Sequence, residues 1–134
     1  MPIEPEKSSI STLFLIISII ILFSLFIFPS IYIDIVFSDI EKDLNKINDE
    51  VIENKLESAQ RRLNDIDKKI SESEIILYTF LNHENINRIK TSIKGCIEMI
   101  KVDERGQMLL ELQSVLSEIE SIKTMEKLNL KTLF

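Results

Sequence analysis

Residues 56–80 read LESAQRRLNDIDKKISESEIILYTF. Leu56, Ala59, Leu63, Ile66, Ile70, Ser73, Leu77 and Phe80 recur in steps that alternate three and four, so they fall on one side of an α-helix. The residues between them, such as Arg61, Arg62, Asp65, Asp67 and Lys68, carry charges of both signs and suit the solvated side. A helix of this kind cannot leave its apolar stripe in water, so the chain must supply further stripes to cover it.

Three more stripes flank it. Upstream, Ile33, Phe37, Ile40, Leu44, Ile47 and Val51 form a seam on a helix that continues from the apolar N-terminal region. Val51 to Leu56 is a step of five, which puts the two seams out of phase. Either the chain turns near Glu53-Asn54-Lys55, or one long helix rotates its apolar side there. The turn is favoured, since asparagine is tolerated at helix ends and an unpaired helix would expose both stripes. Downstream, Ile86, Ile89, Ile93, Cys96 or Ile97, and Ile100 make a third stripe. Leu109, Leu112, Leu116, Ile119 and Ile122 make a fourth, widened by Met108 and Val115. Between these two, Asp103 is the expected N-cap of the last helix, with Glu104 in its first turn.

The expected fold is therefore all-α. Helices are predicted at about 33–53, 55–81, 83–101 and 104–126, followed by an apolar C-terminal tail. Short connections make neighbours antiparallel, giving a small bundle or stacked helical hairpins. Pairing of the second helix between chains, as a coiled coil, is the main rival to a closed core.

Ahead of this 33–134 domain, no residue from Ser8 to Ile33 carries a charge. At about 1.5 Å per residue, roughly 20 residues cross a hydrocarbon core of about 30 Å, so residues 10–32 read as a transmembrane helix after a short tail, 1–9. Secretory signal peptides have a shorter apolar run, a basic start and small residues before the cleavage site. Here the start holds Glu4, Glu6 and Lys7, and the far end is Phe28-Pro29-Ser30. A short tail before an uncleaved span suits a signal anchor, which places the C-terminal domain outside the cytoplasm at the cell membrane. The lysine and arginine balance of the flanks does not decide the matter.

Composition excludes other classes. The 134 residues include 2 Gly, 3 Pro and no Trp, too few turn residues for a sandwich or barrel. A net charge of -6 with interspersed signs does not suit nucleic acid, which requires a clustered cationic surface. One cysteine, Cys96, forms neither an internal disulfide nor a four-cysteine metal site. It lies on an apolar face and reads as a buried thiol. Gly95 beside it suggests close approach of another helix.

The only histidine lies in FLNHENINRI, residues 80–89. His83 and Glu84 are adjacent, hence about 100° apart on a helix, and do not chelate one ion together. No catalytic residue, cofactor-binding residue or metal ligand is expected, and no enzymatic activity. The stretch reads instead as a helix joint. Asn82 is the N-cap, and Leu81 packs on Ile86 as a hydrophobic staple. Glu84 places negative charge near the positive end of the helix dipole.

The residues 80–93, FLNHENINRIKTSI, and the ending EKLNLKTLF, 126–134, resemble the bacterial membrane-protein family known as domain of unknown function 4363. The resemblance runs from about Leu56 to the C-terminus, and the leading span fits it. It implies one N-terminal span, a helical remainder and a leucine-rich ending, mainly in spore-forming bacteria, with no assigned activity. It also implies an accessory role, some members being encoded beside a polytopic membrane protein. The sequence departs from the pattern in lacking tryptophan in the second helix and in placing Gly95 where a larger residue is usual.

Leu128, Leu130, Leu133 and Phe134 are too apolar for a free tail; they either dock on the bundle or form a partner-binding strip. The functional expectation is a membrane-anchored accessory or scaffold protein that binds another membrane protein or itself, with the bilayer contacted through residues 10–32. A membrane-tethered sensor or ligand-binding helical module is the alternative, and it requires a pocket between helices.

Overall fold

The computed structural model describes residues 5–133, with side chains described for 7–132. The order is α1 (Pro5–Ile52), α2 (Leu56–Glu72), α3 (Glu74–Phe80), α4 (His83–Lys101) and α5 (Arg105–Leu133). The described residues form an all-helical fold, and the chain divides into two compact units, Met1–Tyr32 and Ile33–Phe134.

In the first unit, α1 is long and apolar enough to cross a membrane by length and composition. Its large side chains, among them Phe14, Ile20, Leu25 and Phe26, are exposed. Two hydroxyls within it bond back to the helix itself: Thr12 Oγ1 donates to the Ser8 carbonyl at 2.7 Å, and Ser18 Oγ to the Phe14 carbonyl at 2.8 Å. This is how an apolar helix carries a hydroxyl without an unsatisfied polar group. Pro29 lies within the helix rather than at its end.

The second unit is a four-helix bundle in which helix neighbours run antiparallel. Its direction can be read from the ion pairs. Arg62 of α2 reaches Glu50 of α1 at 2.7 Å, and Lys69, two turns further along α2, reaches Asp43 at 2.8 Å and Asp39 at 2.6 Å. The α1 partners descend in number as the α2 residues ascend, which only antiparallel helices do. The same relation ties α4 to α5, through Arg88 with Glu118 at 3.3 Å and Cys96 Sγ with the Met108 carbonyl at 3.9 Å. It also ties α5 to α1, through Lys123 with Glu41 and Arg105 with Asn54. Since α2 also packs on α4, the helices form a ring α1, α2, α4, α5, with every neighbour in chain order opposed.

All four stripes meet in one core. Ile33, Phe37, Ile40, Leu44, Ile47 and Val51 of α1 are buried with Ala59, Leu63, Ile66 and Ile70 of α2 and Leu77 of α3. Ile86, Ile89, Ile93, Cys96 and Ile100 of α4, and Met108, Leu112, Val115, Ile119 and Ile122 of α5, complete it. On α5 the buried line is centred on Met108 and Val115, while Leu109 and Leu116 are only partly buried at its edge. Each core side chain of this size contributes about 1.5–3 kcal/mol by leaving water.

The turns after α1 and after α4 have the same construction. Asn54 and Asp103 adopt positive φ, at 64° and 60°. After α1, the Asn54 N–H bonds to the Val51 carbonyl and that of Lys55 to the Glu50 carbonyl; after α4, Asp103 bonds to Ile100 and Glu104 to Met99. This is the Schellman pattern, in which a left-handed residue lets two N–H groups turn back onto orphan carbonyls. Asparagine and aspartate are the side chains that best tolerate that conformation.

Several details depart from the expected boundaries. Asp103 is not the N-cap of the last helix. It terminates α4, and the Glu104 carbonyl instead accepts the first bond of α5, from Met108 N–H at 3.0 Å. Ser73, on the apolar seam, interrupts the 55–81 helix and separates α2 from α3. The backbone bonds continue across it, from Ser73 N–H to the Lys69 carbonyl and from Leu77 N–H to the Ser73 carbonyl, and Leu77 remains buried beyond the break. The helix expected to end near 126 continues to Leu133. Gly95 does not serve a close helix approach: a Cβ placed there meets nothing within 4 Å.

Two measurements follow. Gly95→Ala replaces a helix-interior glycine without a clash and is expected to stabilise the bundle by about 0.5–1 kcal/mol in urea denaturation. An unchanged or lowered midpoint would contradict the open surroundings of residue 95. The second concerns Lys69. Its hydrogen bond holds the Asp39 carboxyl below its ordinary 3.8, and Asp39 and Asp43 together hold the Lys69 ammonium above 10.5. The depressed Asp39 contributes stability above its ordinary value that is lost as pH falls below 3.8. The raised Lys69 contributes stability below 10.5 that is lost as pH rises past it. Lys69→Gln should therefore lower Tm slightly at neutral pH and flatten the loss of Tm below pH 3.8. Both groups are partly exposed, which keeps the effect small and salt-sensitive.

Candidate functional site

The joint between α3 and α4 collects the polar residues that stand out in the sequence. Leu81 leaves α3 in extended conformation, and its N–H closes the last turn on the Leu77 carbonyl at 2.9 Å. Asn82 is also extended, and its Oδ1 accepts from the Glu84 N–H at 2.9 Å. That bond satisfies one of the orphan donors of α4, and the Asn82 carbonyl accepts the first helical bond, from Ile86 at 3.3 Å. Ile86 is buried, and Leu81 packs partly buried against the same core. Glu84 lies in the first turn and pairs with Arg88 at 3.1 Å, four residues on.

His83 has a structural task that its sequence neighbourhood did not reveal. Its Nε2 lies 2.8 Å from the Tyr78 carbonyl. Since a carbonyl only accepts, Nε2 carries the proton and donates. The imidazole thereby satisfies an orphan carbonyl in the last turn of α3, where a helix end favours a donor. Its ring meets the Tyr78 ring edge-on, with centroids 4.9 Å apart and planes at 78°. Tyr78 in turn donates its hydroxyl to Asn87 Oδ1. Lys90 reaches Glu74 at 2.7 Å and sits 5.6 Å from the Tyr78 ring centre. Glu74, Tyr78, His83, Asn87 and Lys90 form one network that pins the short α3 to α4. The Glu74 hydrogen bond is the main cause holding the Lys90 ammonium above its ordinary range.

At the opposite end, Arg105 performs a similar task. Its Nη1 donates to Asn54 Oδ1 and its Nε to Asp103 Oδ1, both at 2.6 Å. One guanidinium therefore joins the two left-handed turns. Nothing in the linear sequence marked this residue, because the partners are brought together only by the bundle.

Among the described residues, no three His, Cys, Asp or Glu side chains come together as a metal site. Cys96 is fully buried, and desolvation pushes its thiol up to about 12. Between α4 and α5 lies a shallow open depression lined by Arg88, Ile89, Ser92, Ser114, Val115 and Glu118.

The C-terminal strip begins on the continuing α5 helix. Leu128 is 57% exposed on the continuing α5, as is Met125 at 57%, while Leu130 is half-buried. The Leu133 side chain and Phe134 lie outside the described residues.

The family model described as "Domain of unknown function (DUF4363)" matches residues 27–133. The chain belongs to this family. The matched range covers the whole bundle, so the DUF4363 module here is an antiparallel arrangement of four helices with α3 as a short appendix to α2. No curated protein and no solved structure matches the chain.

Asn82→Ala removes the N-cap bond of α4 and is expected to cost about 1 kcal/mol in denaturant unfolding, with Asn82→Asp retaining most of it. Equal losses for both variants would show that the cap bond contributes little. For Cys96, a thiol reagent at pH 7.5 should label the native protein far more slowly than the unfolded one. Rapid labelling under native conditions would contradict the closed core around α4 and α5.

Proposed function

We propose that this chain is a bacterial single-span membrane protein that acts without catalysis, as a helical accessory or scaffold protein. In this reading residues 10–32 hold it in the cell membrane. The bundle lies outside the cytoplasm and binds a protein partner, either another membrane protein or a second copy. Its mechanism is tethering: confinement to a surface raises the effective concentration of the bundle for a neighbour that shares that surface.

The observation that carries this reading is the contrast between the two units. The apolar N-terminal helix leaves its large side chains exposed, which suits lipid, whereas the bundle turns its four stripes into a filled core. In this reading recognition runs through the outer surface of the bundle. The exposed Met125 and Leu128 on the last turns of α5 offer apolar anchors for it. For the ligand-binding alternative, the depression beside Arg88 offers an open, shallow surface edged by an ion pair.

Crosslinking and pull-down of the full-length chain from native membranes tests the proposal. A specific co-purifying membrane protein or a crosslinked homo-oligomer is expected, and replacing Met125 and Leu128 with serine should weaken its recovery. Recovery of the chain alone, at monomer mass, would sink the tethering reading. A reporter fused to the C-terminus addresses orientation separately: activity in the cytoplasm would overturn the extracytoplasmic placement while leaving the interaction test intact.

A further inference from the structure

We draw no further inference here: the strongest candidate, the outward face of α5 on which Leu110, Ser114, Ser117, Ser121 and Leu128 form an exposed stripe without charge, carries nothing because nothing in the structure shows what covers it.

Discussion

Four helices that each carry a single apolar stripe have to hide those stripes from water, and this constraint organises the residue 33–134 unit. Ile33 to Val51 of α1, Ala59 to Ile70 of α2, Ile86 to Ile100 of α4 and Met108 to Ile122 of α5 are each too apolar for solvent, and none is wide enough to bury its neighbour alone. A ring of antiparallel helices covers all four with one core. The ion pairs that decorate the ring are partly exposed and contribute little individually. They report the register more than they create it, since a slip of one turn would break the match of Lys69 with Asp39 and Asp43 and misalign the buried isoleucines.

An antiparallel ring requires tight reversals, and the chain builds them in two ways. At one end of the bundle, Asn54 and Asp103 each adopt the left-handed conformation that a Schellman turn demands, and Arg105 links the two side chains. At the other end, the reversal is made by a broken helix. Ser73 separates α3 from α2, and the carbonyl end of α3 is closed by the imidazole of His83 while Asn82 opens α4. The reversal between α3 and α4 therefore consumes the lone histidine, which holds a backbone carbonyl and meets the Tyr78 ring edge-on. Both engagements of the imidazole join the end of α3 to the start of α4 in this DUF4363 member.

Packing bears on function through the surface it leaves available. The interior is filled by isoleucine, leucine and a cysteine whose thiol is held neutral by burial. Those buried side chains come from all five helices and form one cluster. Among the described side chains, Met125 and Leu128 are exposed apolar residues of α5 beyond the buried Ile122.

The helical class, the four stripes, the turn near Asn54 and the cap at Asn82 were legible in the sequence, because each rests on local periodicity or on a side chain acting within four residues of itself. The length and apolarity of the N-terminal helix were legible for the same reason. What the tertiary structure decided depends on contacts between distant residues. It chose the closed bundle over stacked hairpins, since the partner of each stripe is not written in the stripe. It assigned Asp103 to the end of α4 rather than the start of α5, because an aspartate suits either position and only the backbone distinguishes them. It gave His83 its task through Tyr78, five residues away across a helix break, and joined Arg105 to Asn54 across 51 positions. Periodicity specifies which face of each helix is buried; which helix covers it is settled only when all four are packed together.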